Sequence, residues 1–192
     1  MLLPIYMYDA PVLKQKTKRI TEIDDELLAF IMNMHETMHR ANGIGLAANQ
    51  VGQGIALTVI DVSKTEGNED VKPVVMINPE VLESDGEAVF EEGCLSLPEL
   101  REEVTRASDI LVRFMDPNMK EVTMEAGGLL ARVMLHEIDH LNGIYFFERL
   151  PRIKQTLVKP QLNRIRKGEI ETSYPIVVTP QEPRRTRSTV KR

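Results

Sequence analysis

The motif H-E-x-x-H at residues 136–140 constrains the fold of this chain more than any other feature of its sequence. It lies in a stretch from Leu129 to Leu141 that is apolar nearly all round and is predicted to be helical. Because four residues turn an α-helix by about 400°, the two histidines fall about 40° apart on one face. A helix that is apolar on every side is buried, so the fold must close around it. Its two histidines and Glu137 then need partners, and a metal ion would satisfy all three.

The same motif occurs a second time, at residues 35–39. The earlier copy falls on an amphipathic helix that is predicted to follow an N-cap at Asp24. In projection His35 lies inside the apolar arc of that helix and His39 lies on its rim, so ordinary packing explains both. No ordinary set of partners is evident for the later pair. The sequence therefore favours residues 136–140 as the metal-binding copy, with a hydrogen-bonded pair of core histidines as the alternative.

A metal ion held by two histidines needs a third protein ligand to match catalytic sites, which keep one position open for water. Cys94 is the only cysteine, and a thiolate is a strong ligand for a borderline or soft divalent ion. A lone cysteine is otherwise more often a buried filler, and a redox thiol or a nucleophile are further alternatives. One cysteine also excludes an intrachain disulfide framework, which is typical of a protein in a reducing compartment.

Length and composition predict one globular domain without a membrane span. The chain has 192 residues, of which 42% are hydrophobic, and this is enough to bury a full core. No run of about 18 apolar residues occurs, and the first residues lack the pattern of a signal peptide. Together with the single cysteine, these features lead us to expect a cytoplasmic protein.

The charge is distributed unevenly along the chain. Residues 1–150 carry 13 Lys and Arg against 26 Asp and Glu, whereas residues 151–192 carry 11 against 3. A basic tail on an acidic body predicts an anionic partner, with a solvated charge run as the alternative. We expect a catalytic domain over residues 1–168. The basic, proline-containing tail over residues 169–192 has little to bury, and we expect it to be disordered.

Periodicity and turn residues predict an α+β chain. Helices are expected after Asp24 as far as Asn42-Gly43, over 129–141, and in a short segment at 160–168. Strands are expected at 55–62, 71–77, 87–90, 110–115 and 121–124.

Three motifs, taken together, resemble those of the peptide deformylase family. The chain has G-x-G-x-A-A-x-Q at residues 43–50, E-G-C-x-S at residues 92–96 and the H-E-x-x-H of residues 136–140, in the order that the family shows. The resemblance covers about residues 1–165 and is far more specific than any one motif. Asn49 stands where proline or threonine is commoner, and Leu135 stands where glutamine is frequent. Neither position carries the chemistry.

The resemblance implies a metal-dependent amidohydrolase that acts on a linear amide. It would remove the formyl group from the N-terminal formyl-methionine of new polypeptides and release formate. The implied fold has antiparallel or mixed β-sheets packed around a central buried helix that carries H-E-x-x-H, with an N-terminal amphipathic helix and a short C-terminal helix. One Fe(II) ion is expected, and zinc, nickel or cobalt could substitute. The implied metal ligands are Cys94, His136 and His140, and the implied catalytic residues are Glu137, Gln50, Leu95 and Gly45.

The substrate is expected to bind in an extended form along a strand edge. By resemblance, the segment around Ile44 and Gly45 contacts one side of the peptide and residues 99–101 contact the other. The methionine side chain needs an apolar slot. Ordinary structural roles are open here too: apolar residues of the late helix belong in any core, the two glycines could serve a turn, and Arg101 could be a surface residue. The predicted substrate-binding residues are Gly43, Ile44, Glu99, Arg101, Leu129 and Val133, with the ring of His136 beside the slot.

The expected partners are N-formyl-methionyl polypeptides and, through the basic C-terminal segment, the ribosome. We expect neither a membrane nor DNA as a partner. Two other functions compete with deformylation. A zincin-like metallopeptidase would share the helix motif but would not need Cys94. An inactive peptide-binding homologue would keep the fold, but every catalytic position that the resemblance implies is intact here.

Overall fold

The computed structural model describes residues 1–180 and shows a mixed α+β fold, which confirms the predicted class. None of the helices in this part of the chain combines the length and hydropathy needed to cross a bilayer. The strands are β1 (Ile5–Tyr6), β2 (Gly45–Ala47), β3 (Leu57–Ile60), β4 (Val74–Asp85), β5 (Ala88–Cys94), β6 (Leu97–Arg106), β7 (Asp109–Met115), β8 (Glu121–Gly127) and β9 (Ile176–Val177). The α-helices are α1 (Asp25–Arg40), α2 (Gly128–Leu141), α3 (Arg152–Leu157) and α4 (Lys159–Arg166).

Three sheets form the β part of the described chain. Five antiparallel strands make the largest sheet, in the order β2-β3-β4-β7-β8, so β2 lies at an edge. Strands β5 and β6 form a separate antiparallel hairpin. Strands β1 and β9 pair in parallel. The edge position of β2 is important for function, because an edge strand has backbone groups free to pair with a peptide.

Helix α1 begins where the sequence predicts. The Asp24 side chain accepts a hydrogen bond of 2.8 Å from the Leu27 backbone N–H, which is the expected N-cap geometry. Of the histidines on this helix, His35 is half-buried and His39 forms a 2.8 Å contact between its Nε2 and Asp61 Oδ2. Within residues 1–180 the two do not gather with a third ligand into a metal cluster. Packing and one contact with Asp61 therefore account for the earlier H-E-x-x-H copy.

Helix α2 contacts strands β2, β3, β7 and β8 of the large sheet. Ala131, Val133 and Met134 are buried there, in a cluster that also contains Met76 and Val112. The expectation of burial on every side holds only in part, because four apolar residues of the helix are half-buried. These residues are Leu129, Leu130, Leu135 and Ile138. Leu129 is half-buried because it borders an open cavity.

Strand β6 and helix α3 were not anticipated from the sequence. Strand β6 contains Pro98 and a run of charged residues, features that usually mark a loop. It is nevertheless a strand, because Leu97, Leu100 and Val104 are buried on its inner side. The charged residues Glu99, Arg101 and Glu103 are exposed on the other. Long-range pairing with β5 thus overrides the local signal.

The C-terminal segment differs from its prediction. The tail was expected to be disordered from residue 169, but β9 pairs with β1 in the structure, and Ile170, Tyr174 and Ile176 pack against the main core. The tail as a whole is basic and polar, but the apolar residues spaced along this segment are enough to pack it against the core. The remainder of the predicted tail, residues 181–192, lies outside the described part of the chain.

Candidate active site

A cavity of about 490 Å³ opens beside the N-terminal half of α2. Its walls come from the edge strand β2, the β5–β6 hairpin and α2, and residues 171–174 close one side. All of the predicted catalytic residues border this cavity, and so do Cys94 and His136. His140 lies behind them and is almost completely buried, with 1% of its surface exposed.

Cys94, His136 and His140 form the one group in residues 1–180 that could hold a metal ion. Their ligand atoms all lie within 4.8 Å of one another, and Cys94 Sγ is 3.2 Å from His140 Nε2. The helix presents the two histidines from consecutive turns, as the i, i+4 spacing requires. The cysteine comes from the end of β5, so sheet and helix must dock before the three ligands meet.

The surroundings of these side chains fit a bound cation. His136 Nδ1 is 2.8 Å from Glu92 Oε2, which leaves Nε2 directed to the site, as in most histidine metal ligands. Glu137 Oε2 is buried without a hydrogen-bond partner among the described atoms. Burying a polar atom without a partner costs free energy. A bound ion and its water beside Glu137 would offset that cost by giving the oxygen a partner. A thiolate with two imidazoles suits iron, zinc, nickel or cobalt.

Glu92 is the centre of a buried charge network behind His136. Its Oε1 accepts hydrogen bonds from Arg106 Nε at 2.6 Å and from Arg132 Nη1 at 2.7 Å, and its Oε2 accepts one from Arg106 Nη2 at 2.9 Å. Arg106 Nη1 also donates to Asp139 Oδ2. Burial alone would raise the pKa of Glu92, but hydrogen bonds from His136 and Arg106 outweigh it and hold the pKa far below its ordinary value. The carboxylate therefore stays ionised and fixes the ring of His136.

Glu137 has the properties of an acid–base group. It is buried, and burial raises the pKa of its carboxyl from 4.5 to about 7, with the neighbouring charges adding smaller effects of both signs. A pKa near the working pH is what a group that takes and returns a proton needs. Gly45 makes the placement possible: a Cβ there would lie 2.4 Å from Glu137 Oε1.

The side chain of Gln50 is fixed with its amide N–H₂ towards Cys94. Its Oε1 accepts a 2.9 Å hydrogen bond from the Ala47 backbone N–H, and its Nε2 donates to Ser96 Oγ at 3.2 Å and to Cys94 Sγ at 3.4 Å. The oxygen thus points away from the site and the donor points into it. Ser96, which the sequence analysis left without a role, holds that donor in place.

Leu95 lies in the tight turn of the β5–β6 hairpin. Cys94 pairs with Leu97 across the hairpin, so Leu95 and Ser96 form a two-residue turn directly after the cysteine. The backbone N–H of Leu95 directly follows Cys94 in the chain, and Leu95 borders the cavity. A second hydrogen-bond donor is therefore available beside Gln50.

The predicted substrate-binding residues all border the cavity. Strand β2 supplies its free edge on one side. On the other, the pairing of Gly93 with Arg101 and of Cys94 with Leu97 leaves a bulge in β6 at residues 98–100. Glu99, inside the bulge, has a φ of 64°, and bulges commonly re-aim side chains beside active sites. The bordering residues of the predicted set are Gly43, Ile44, Glu99, Arg101, Leu129 and Val133.

Asn49 has a structural role that sequence reasoning did not anticipate. It is completely buried, and its Nδ2 donates a 2.6 Å hydrogen bond to the backbone oxygen of His140. The same carbonyl also accepts the Gly143 N–H at 3.0 Å, so the Asn49 amide adds a second hydrogen bond at the C-terminal end of α2. Arg132 was also missed, although a buried arginine in an apolar helix requires an acidic partner. That requirement was the available signal for Glu92.

Fold and site together define a hydrolase of the metal-dependent class, with Cys94, His136 and His140 placed to hold an ion beside a buried glutamate. A family model described as polypeptide deformylase matches residues 2–156. A peptide deformylase of Chlorobium luteolum is 45% identical over 176 residues, which span 92% of this chain and 93% of that protein. One of Salinibacter ruber is 43% identical over 190 residues, which span 95% and 97% of the two chains.

Solved structures agree with the sequence comparison. The crystal structure of a peptide deformylase from Legionella pneumophila has a TM-score of 0.79 at 34% identity and covers 88% of this chain and 98% of its own. The structure from Thermus thermophilus has a TM-score of 0.79 at 37% identity and covers 88% and 100%. The chain belongs to the polypeptide deformylase family. It is a hydrolase of protein biosynthesis whose activity is removal of the N-formyl group from newly made polypeptides.

Proposed function

We propose that this chain deformylates the N-terminal formyl-methionine of new polypeptides by attack of a water molecule at a Cys94-His136-His140 metal centre. The observation that carries the proposal is the meeting of three ligand atoms within 4.8 Å in the wall of a cavity that Glu137 and Gln50 also border. These groups come from distant parts of the chain. Such a grouping of metal-ligand, acid–base and amide side chains in one cavity wall is best explained by a catalytic role.

Cys94, His136 and His140 would hold the ion. Bound there, it would lower the pKa of a water molecule and polarise the formyl oxygen. We propose Fe(II) as the native metal, with zinc, nickel or cobalt able to substitute, since the donor set suits all four.

Glu137 is the proposed acid–base residue. Its carboxylate takes the proton of the attacking water and then delivers it to the amine that leaves as the C–N bond breaks. The raised pKa of about 7 suits both halves of this exchange. Gly45 keeps the space next to the carboxylate open.

Gln50 and Leu95 are the proposed oxyanion donors. Gln50 and Leu95 both border the cavity, and hydrogen bonds with Ala47 and Ser96 fix the Gln50 amide before substrate binds. Donors fixed in this way stabilise the negative charge on oxygen without having to reorganise. Loss of one such donor typically costs on the order of 10²–10³ in rate.

The substrate peptide would extend between β2 and the β6 bulge. Ile44 and Gly45 on the edge strand would pair with one side of its backbone, and Glu99 and Arg101 would contact the other. Leu129, Val133 and the His136 ring would form the wall of the methionine slot. A Cβ at Gly43 would lie 2.9 Å from Leu95 Cδ1, so a side chain there would displace the Leu95 side chain.

The decisive experiment measures formate release from formyl-Met-Ala-Ser by protein purified anaerobically with Fe(II). Wild type should turn over, whereas Glu137→Ala and Cys94→Ala should keep no more than a trace. Metal content separates the two variants: Glu137→Ala should retain the ion and Cys94→Ala should lose it. Wild type that is inactive with iron, nickel and cobalt alike would favour the inactive peptide-binding homologue. Cleavage within a longer, unformylated peptide would favour the zincin-like peptidase.

We also propose that the enzyme works in the cytoplasm and meets emerging chains at the ribosome through its basic C-terminal segment. Residues 181–192 contain five Arg and Lys and one Glu, a composition suited to RNA phosphates. Deleting these residues should weaken ribosome co-sedimentation and reduce its dependence on salt, while deformylation of a free peptide stays unchanged. Co-sedimentation that is equal for the two proteins at every salt concentration would contradict this part of the proposal.

A further inference from the structure

The segment Glu171–Val177, here called the C-terminal strap, closes one side of the active-site cavity. Its first four residues border the cavity, and its last two form β9. The match to the polypeptide deformylase family model ends at residue 156, so the strap lies beyond it. The function described above therefore assigns the strap no role.

The strap is attached firmly to the N-terminal strand. Ile5 donates its backbone N–H to Pro175 O at 2.9 Å, and Met7 donates to Val177 O at 2.9 Å. Within the strap, Thr172 Oγ1 donates to Tyr174 O at 2.8 Å. Tyr174 is consequently held on both sides, by β9 after it and by an internal hydrogen bond before it.

The hydroxyl of Tyr174 donates a 2.8 Å hydrogen bond to the backbone oxygen of Leu95. Leu95 and Ser96 are the two residues of the β5–β6 turn. The backbone oxygen of Ser96 accepts a second hydrogen bond from outside the hairpin, from the Tyr8 N–H at 3.1 Å. Both carbonyl groups of the turn are thus held, one by the N-terminal segment and one by the strap.

Holding these carbonyls has a consequence for the oxyanion donor. The Leu95 oxygen belongs to the peptide group that directly follows the Leu95 N–H, so fixing this peptide limits rotation about the Leu95 backbone. The Leu95 side chain gives little alternative support, because it is only half-buried. A two-residue turn is short, and a small rotation in it would swing the N–H away from the developing charge.

We propose that Tyr174 is a positioning residue for deformylation, acting through Leu95, and that the C-terminal strap is a functional part of the active site. Tyr174 does not contact the reacting atoms in this proposal; it aligns the backbone N–H that does. The proposal rests on the proposed function, because it assumes Leu95 as an oxyanion donor. It predicts a loss in kcat and little change in KM, since the substrate's own contacts are retained.

Tyr174→Phe tests this proposal by removing one hydroxyl. We expect kcat for formyl-Met-Ala-Ser to fall roughly tenfold, which is less than the 10²–10³-fold loss typical when a donor is removed outright. KM and metal content should stay within about twofold of wild type, the change expected when binding contacts are kept. Tyr6→Phe is the matched control: Tyr6 is a half-buried tyrosine on β1, the partner strand of the strap, and its ring lies over Gly52. It should retain wild-type kcat.

The possible outcomes distinguish a failure of the positioning role of Tyr174 from a failure of the proposed deformylase activity. An inactive wild type would overturn deformylation itself. An active wild type with an unchanged kcat in Tyr174→Phe would overturn the positioning role alone. A Tyr174→Phe variant with reduced melting temperature but a normal kcat per bound metal ion would show that the hydroxyl only stabilises the fold, which also contradicts the proposal.

Discussion

At the scale of single residues, the site contains two buried carboxyl groups whose pKa values are shifted in opposite directions. Glu137 is buried, and its pKa is raised to about 7 because ionisation there removes a charge from water. Glu92, also buried, is kept ionised by His136 and Arg106. Two carboxylates of one site thus differ in ionisation because one is paired and the other is not. The unpaired one is available for proton transfer.

Glu137 should destabilise the metal-free protein at neutral and alkaline pH. Its pKa is 4.5 ordinarily and about 7 in the folded chain, so ionisation costs nothing below pH 4.5 and its cost grows until about pH 7. Glutamine cannot ionise. Metal-free Glu137→Gln should therefore gain stability over wild type as pH rises through this range, by on the order of 2–3 kcal/mol. Urea unfolding at pH 5 and pH 8 measures the gain, and Glu103→Gln, at an exposed position of β6, is the control. An equal difference at both pH values would contradict the prediction.

Glu92→Gln should weaken both the fold and the metal site. The change removes the negative charge that pairs Arg106 and Arg132. Arg106 keeps its pairing with Asp139, but Arg132 loses the charge beside it, and an unpaired buried charge typically costs about 3–5 kcal/mol. The change also weakens the contact that orients the His136 ring. Mutation of a group that orients a metal-ligating histidine typically lowers metal affinity about 10–100-fold. Chemical denaturation and competition with a chelator measure the two effects. Glu91→Gln is the matched control, since Glu91 is exposed and pairs with Arg101 at 3.4 Å. Its stability should stay within about 0.5 kcal/mol of wild type.

At the scale of secondary-structure elements, the close approach of β2 to α2 decides the geometry of the acid–base residue. Gly45 faces the helix at a point where a Cβ would meet Glu137 Oε1 at 2.4 Å and Val133 Cγ1 at 2.8 Å. A strand carrying a larger residue could not lie so near the helix. The glycine of the G-x-G-x-A-A-x-Q motif therefore has a packing requirement independent of any turn.

Gly45→Ala should impair catalysis without removing the metal. The added methyl group would displace Glu137 or push β2 from α2, and a displacement of about 1 Å can cost about 10²-fold in rate. The metal ligands are not touched, so metal content should be normal. Formate release and metal analysis on the same preparation measure both. Gly54→Ala is the control, because a Cβ at Gly54 would meet nothing within 4 Å. A Gly45→Ala enzyme with full kcat would show that the contact can relax freely.

At the scale of the whole molecule, the three candidate metal ligands come from two parts that the backbone leaves separate. The β5–β6 hairpin forms no backbone ladder with the five-stranded sheet in the described chain. Cys94 comes from the hairpin, and both histidines come from α2. A bound ion would therefore fasten the hairpin to the helix, in addition to the salt bridges of Glu92.

Removing the metal should lower the melting temperature and loosen the hairpin selectively. A ligand present at 100 times its dissociation constant stabilises the folded state by about 2.7 kcal/mol. Amide hydrogen exchange with and without chelator should show faster exchange in β5 and β6 than in β3 and β4. Chelator should have little effect on Cys94→Ala, which lacks one ligand. Uniformly faster exchange across all strands would contradict a local fastening role.

Much of the site could be predicted because its residues lie in short local motifs. The helical spacing of His136 and His140 needs only the geometry of an α-helix, and the N-cap at Asp24 is equally local. Strand β6 could not be predicted in this way, since its pairing with β5 and the burial of Leu100 outweigh a proline and a run of charges. Nor could β9, whose pairing with β1 joins residues about 170 positions apart.

The sequence by itself determined the helix that carries H-E-x-x-H, the order of the three motifs and the family, because each depends on residue identity at short spacing. The tertiary structure alone decided what lies around them: the buried carboxylate of Glu92 behind His136, the amide of Asn49 against the end of α2, and the hydroxyl of Tyr174 on the β5–β6 turn. Each of these contacts joins residues more than 40 positions apart. Spacing along the chain carries no information about such distances, since they are set only when sheet, helix and C-terminal strap pack together.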